Sequence, residues 1–254
     1  MLLYLKQHAH ALKSGHIIER ELALCSGFYL GRHIDELAAV AREYATKHAG
    51  KLEPSTIRNR MAYLRAACRW AWKHHGIGEH DPAERMVMPR VRNEAQVYVT
   101  RTQVLQACRL ISNLDARACA LVAFYSGMRQ AEVLRAKVTP AGWLLEDTKN
   151  GERRLVPIHA KVAHIARRWP RDIKAGTLYR RWVAAARSIG MDPRVTFHTL
   201  RHSTASEMLT AGADLYSIGQ VLGHKSTQST KRYAHLAPEA AAAALGRIGK
   251  RKAG

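Results

Sequence analysis

Between Phe197 and Tyr233 the chain carries side chains suited to an anionic reaction centre. His198 and Arg201 stand three apart in F-H-T-L-R-H-S, in what reads as the first turn of a helix, so both project from one face. Asp214 to Leu222 reads as a short helix. Gly223 suits its left-handed C-cap, which leaves His224 directly on the loop side. Tyr233 comes nine residues later, preceded by Lys231 and Arg232. Two imidazoles, a guanidinium and a phenol framed by cations match a phosphodiester. Singly, each has an ordinary explanation: H-x-x-R is a surface pair, L-G-H a helix stop, a tyrosine packing. Their order and spacing together are far more specific.

The rest of the set lies upstream. An apolar helix from Ala116 to Tyr125 stops at Ser126-Gly127, and Arg129 follows with Glu132 three residues on. That carboxylate could hold the guanidinium rigidly, or the two could form an ordinary helix ion pair worth a few tenths of a kcal/mol. From Lys137 to Ile158 the period changes. Trp143–Thr148 and Arg153–Ile158 read as two strands, with Lys149 just before the hairpin signal Asn150-Gly151. A lysine at a hairpin tip either keeps the tip soluble or reaches into a nucleic-acid groove.

These groups need a scaffold, and the pattern supplies helices. Thr100-Arg101-Thr102-Gln103 reads as a cap leading into Val104, Leu105, Ala107 and Cys108. From Ala160 to Phe197 the chain is helical again. In the N-terminal half, Pro54-Ser55-Thr56 opens a helix with Pro in its first turn. Ile57, Met61, Leu64, Cys68 and Trp72 make one apolar stripe, and Arg58, Arg65, Arg69 and Lys73 a basic stripe beside it. The basic stripe is a solvated face or a phosphate contact, and the charge of the whole chain favours the latter. Asp81 to Glu94, with Pro82 and Pro89, reads as a linker, so the domains are placed at 1–92 and 93–254.

The totals agree with a polyanionic partner. Against 20 Asp and Glu stand 41 Lys and Arg, a formal charge of +21 over 254 residues. No long apolar stretch or basic amphipathic anchor supports a membrane-surface protein, and the N-terminus lacks the pattern of a signal peptide. A cytoplasmic protein is therefore expected. Cys25, Cys68, Cys108 and Cys119 are scattered without a C-x-x-C pair, so they read as small core residues rather than metal ligands.

With Ser126-Gly127-Met128-Arg129-x-x-Glu132, Lys149, His198-x-x-Arg201, Leu222-Gly223-His224 and Tyr233 in that order, the chain resembles a tyrosine recombinase of the phage-integrase family. The resemblance runs from about Val97 to the tail. It extends to the N-terminal stretch P-S-T-I-R-N-R-M-A-Y-L-R, which looks like the family's helical, SAM-like core-site-binding domain. It implies a mainly α fold with a small antiparallel β-sheet. Ala136 stands where the family usually carries Leu, and the extra arm-binding domain of many phage integrases is not expected here.

By that resemblance, Tyr233 attacks the scissile phosphate to form a 3′-phosphotyrosyl link and free a 5′-hydroxyl. Arg129 and Arg201 hold the non-bridging oxygens, as planar forks suit phosphate, and His224 adds a hydrogen bond. His198 assists proton transfer around Tyr233, Lys149 protonates the leaving oxygen, and Glu132 supports Arg129. No metal or other cofactor and no ATP are implied. The implied partners are double-stranded DNA at specific core sites and further copies of the chain, in a tetrameric synapse, with no membrane. A bacterial or phage origin is implied too. The rival readings are a type IB topoisomerase, which shares the chemistry, and a catalytically silent DNA-binding regulator. Ala237-Pro238-Glu239 begins a tail helix ended by Lys250-Arg251-Lys252, docking in cis or on a neighbouring subunit.

Overall fold

The computed structural model describes residues 1–91, 97–146, 153–224 and 233. The chain divides into two units, Met1–Asn93 and Glu94–Gly254. Lys149, Lys231, Arg232 and the tail helix expected from Ala237 lie outside the described residues.

The N-terminal unit contains five α-helices among its described residues: α1 (Leu2–Gln7), α2 (Gly15–Ala23), α3 (Ser26–Tyr29), α4 (Leu37–His48) and α5 (Pro54–His75). Helix α5 starts with Pro54 at its first position and ends on Gly76, whose φ of 60° is the left-handed cap that a side chain disfavours. Its apolar stripe packs as its spacing dictates. Ile57, Met61, Leu64, Ala67, Cys68 and Ala71 are buried, while Trp72 is only half-buried. All of these buried residues but Ala71 share a core with Leu22, Leu37, Ala41 and Tyr44. One polar group is built into that core: Arg60 donates through Nε to Glu21 (2.7 Å) and through Nη1 to the Tyr44 hydroxyl (2.6 Å).

The described part of the second unit is helical around one small sheet. Its helices are α6 (Arg101–Leu110), α7 (Leu114–Ser126), α8 (Gln130–Arg135), α9 (Ala163–Ala166), α10 (Ala175–Ser188), α11 (Phe197–Thr210) and α12 (Leu215–Leu222). Thr100 and Gln103 cap α6 reciprocally, Gln103 N–H donating to Thr100 Oγ1 (3.3 Å) and Thr100 N–H to the Gln103 side chain (2.8 Å). Helix α7 is apolar nearly all round because α6, α10 and α11 all pack on it. Their shared core includes Val104, Cys119, Trp143, Trp182 and Leu200. All four cysteines are free and buried, and burial pushes the thiols of Cys108 and Cys119 up to about 12.

The sheet has three antiparallel strands in sequence order, β1 (Lys137–Thr139), β2 (Gly142–Leu145) and β3 (Arg154–Val156). The two expected strands correspond to β2 and β3. Strand β1 adds to them, pairing Lys137 with Leu144 and Thr139 with Gly142. Three residues with two exposed side chains carry no alternation to read. Gly142 permits the tight packing of the sheet, since a Cβ there would lie 2.5 Å from the Val156 carbonyl oxygen.

Candidate active site

Two helix ends meet at the centre of the site. Helix α7 terminates on Gly127 (φ 67°), and α12 on Gly223 (φ 67°), both in left-handed caps. A side chain at either position would also push against a neighbouring one. A Cβ on Gly127 would come within 2.5 Å of Leu222 Cδ2, and one on Gly223 within 2.8 Å of Arg154 Nε. Arg201, on the second turn of α11, fits between these ends. Its Nη1 donates to the Gly127 carbonyl and its Nη2 to the Leu222 carbonyl, both at 2.7 Å. The side chain is 2% exposed. Burial, and after it the Arg129 charge, lowers its pKa to about 9, which leaves it cationic at neutral pH. The negative ends of two helix dipoles help to hold a buried cation there.

Arg129 stands two residues past the α7 cap and serves as the N-cap residue of α8. Glu132 grips it twice, accepting from the Arg129 amide through Oε2 and from Nη1 through Oε1, each at 2.8 Å. Glu132 is itself 3% exposed. Its second partner comes from β3: Arg154 donates through Nη2 to Oε2 at 2.8 Å. Arg154 also donates through Nη1 to the Val221 carbonyl at the end of α12. Burial pushes the Glu132 carboxyl up, but the Arg129 amide and the two guanidiniums outweigh it and hold the pKa below its ordinary 4.5. The result is a carboxylate that fixes two arginines, with a third guanidinium close enough to interact electrostatically with all of them.

His224 leaves the Gly223 cap half-buried, its amide bonded to the Gly219 carbonyl at 2.9 Å. Tyr233 is 1% exposed and packs with Ala205, Leu209, Ile218 and Leu222. It is near enough to Arg201 to influence that guanidinium's ionisation. The Tyr233 hydroxyl lies 2.8 Å from Nδ1 of His202. His198, one turn earlier and exposed, stands edge-on to the His202 ring at 4.7 Å between centroids. The start of α11 therefore splits: Arg201, on its second turn, is buried while His198, on its first, is exposed.

The arrangement is a cluster of fixed guanidiniums close to a phenol, groups of the kind that stabilise a tetrahedral oxyanion beside a nucleophile. Residues 98–240, more than half the chain, match the model of the phage integrase family. The chain belongs to the phage integrase family. It is 26% identical over 259 residues to the tyrosine recombinase XerC of Xanthomonas campestris pv. campestris, an alignment covering 90% of this chain and 79% of the relative. To the tyrosine recombinase XerD of Ralstonia nicotianae it is 28% identical over 265 residues, covering 87% and 82%. In fold it is similar to a lambda integrase fragment crystallised as a dimer on a core site, with TM-score 0.70, 17% identity and coverage of 89% and 96%.

Two residues of this candidate site do not stand out in the sequence. Arg154 reads there only as part of a strand, because its partners Glu132 and Val221 are 22 and 67 residues away. His202 lies inside the quoted F-H-T-L-R-H-S stretch, but nothing local distinguishes it from His198. On the α5 stripe, Arg65 and Lys73 are exposed; Arg58 donates to the Pro89 carbonyl at 2.7 Å and Arg69 pairs with Asp81 at 2.8 Å.

Proposed function

We propose that this integrase-family protein cleaves and rejoins duplex DNA at specific sites, using Tyr233 as nucleophile and forming a 3′-phosphotyrosyl intermediate. The observation that carries this is the pairing of a buried, rigidly bonded Arg201 with the Tyr233 phenol beside it. Arg201 and Arg129 hold the non-bridging oxygens and stabilise the added negative charge of the transition state. Glu132 and Arg154 keep that cradle in place. His224 and, from the sequence pattern, Lys149 complete the set, with Lys149 protonating the leaving 5′-oxygen. Because the phosphodiester energy is kept in the covalent link, rejoining needs no ATP.

The relatives' names, recombinases and integrases, favour strand exchange over supercoil relaxation. Neighbours of the same fold are described as a dimer on a core site and as a tetramer on a Holliday junction. We extend that assembly to this chain: copies gather on DNA, with residues 1–92 binding core sites through Arg65 and Lys73 and less directly through Arg58 and Arg69. No described helix is long and apolar enough to cross a membrane, and the proposed place of action is the cytoplasm, on DNA. Side-chain cations do the work asked of metals elsewhere, so the chemistry is proposed to be metal-independent.

The test is recovery of DNA covalently attached to the protein. Tyr233→Phe should abolish the adduct while duplex binding stays within a few-fold, and chelator should leave wild-type cleavage unchanged. An adduct formed by the Phe variant would refute the assignment. Strict dependence on Mg²⁺ would refute the metal-independent chemistry.

A further inference from the structure

We propose that His202 is a further catalytic residue, the group whose Nδ1 receives the phenolic proton of Tyr233 during attack. This rests on the reading of Tyr233 as nucleophile. A phenol of pKa about 10 is only about 0.1% ionised at neutral pH, so a proton acceptor in contact with it raises the reactive fraction. The acceptor must lie within about 2.6–3.2 Å of the oxygen it deprotonates. His202 Nδ1 lies 2.8 Å from the Tyr233 hydroxyl. A phenol has one proton and a neutral imidazole one bare ring nitrogen. The contact therefore fits Tyr233 donating to a His202 that carries its own proton on Nε2.

His202 follows Arg201 directly on α11, so one short segment fixes both the cation beside the phenol and the base on its oxygen. Arg201 is immobilised by two backbone carbonyls. The expected assistant, His198, sits one turn away with its ring against His202 rather than in that contact. Its position suits it to support the imidazole.

In the forward step the Tyr233 oxygen bonds to phosphorus and its proton passes to His202 Nδ1. The bond from phosphorus to the 5′-oxygen breaks, and that oxygen leaves with the bonding pair and is protonated by Lys149. In rejoining, a 5′-hydroxyl attacks the phosphotyrosyl link and gives its proton back to Lys149. The departing phenolate recovers its own proton from His202. Charge and protons balance in both directions.

The experiment measures single-turnover cleavage by the full chain on a suicide duplex carrying the site recovered from the covalent adduct. His202→Gln keeps a polar head but cannot take a proton, and should cleave at least about 100-fold more slowly with DNA affinity within threefold. His202→Ala should be equally slow. Free imidazole should restore it at least tenfold, with substituted imidazoles following their basicity. A His202→Gln variant that cleaves within threefold of wild type overturns the inference. So does rescue that ignores basicity, since that would mark a space-filling role. Thermal unfolding of both variants reports whether each is folded, and the Gln variant decides the matter if the Ala variant is not. Tyr233→Phe run alongside separates the two levels: loss of adduct there with a normal His202→Gln rate sinks only the role of His202.

Discussion

Glu132→Gln is the most informative change in the site, because one isosteric substitution removes the charge on which two arginines converge. Glu132 accepts three bonds at 2.8 Å, from the Arg129 amide, Arg129 Nη1 and Arg154 Nη2. Taking one member from a buried ion pair typically costs 3–5 kcal/mol, because the remaining charge is left unpaired. Gln keeps the shape and one carbonyl oxygen, so its cost should fall at the lower end, about 3 kcal/mol. In a unit of this size each kcal/mol shifts Tm by about 2–4 °C, giving a drop of about 6–12 °C. Cleavage should fall at least tenfold, as Arg129 loses the partner that aims it. The pH dependence has a definite sign. The folded pKa of Glu132 is lowered, so its contribution is present above the ordinary value of 4.5 and lost as pH falls through the lower folded value. Wild type should lose that stability on acidification, and the Tm gap to Glu132→Gln should narrow. Circular dichroism melts from pH 3 to 7, with cleavage assays at neutral pH, test this. A Tm within about 2 °C of wild type and an unchanged cleavage rate would refute the carboxylate's role.

Arg154→Gln should lose both the Glu132 pair and the bond to the Val221 carbonyl, lowering stability by about 3–5 kcal/mol in chemical denaturation and slowing cleavage. Gly127→Ala places a side chain at φ 67° and within 2.5 Å of Leu222 Cδ2, and should cost at least about 2 kcal/mol by the same measurement. On the α5 stripe, replacing Arg65 and Lys73 by Gln should flatten the salt dependence of DNA binding, by about one unit of log–log slope per lost phosphate contact. Arg58→Gln and Arg69→Gln should change the slope less, because those guanidiniums already bond to Pro89 and Asp81.

What could be read from the sequence follows from range. Helix ends declare themselves locally: Gly127, Gly223, Pro54 and the Thr100–Gln103 box each mark a boundary within a few residues of the signal. The cationic motifs were legible by type and order. Their partners were not. The bonds from Arg201 to Gly127 and Leu222 span 74 and 21 residues, and packing, not spacing, chooses them. The same holds for Arg154, and for His202, whose contact with Tyr233 spans 31 residues. His198 illustrates the limit within a single helix: three residues apart is close enough to share a face, yet His198 is exposed and Arg201 buried.

The cradle of Arg129, Arg154 and Arg201 contains three positive charges and, in Glu132, one buried negative charge. Two carbonyl dipoles soften the imbalance at Arg201, but dipoles do not neutralise a cation. Among the described residues the cradle is therefore short of a counter-ion, and the phosphodiester of the proposed reaction would bring one. On the proposed function, self-repulsion among the guanidiniums would give way to attraction for the DNA phosphate, and that attraction would grow as charge builds on the phosphate in the transition state. Folding and binding share one free-energy ledger. On the proposed function, part of the affinity for DNA would come from relief of the repulsion among these like charges.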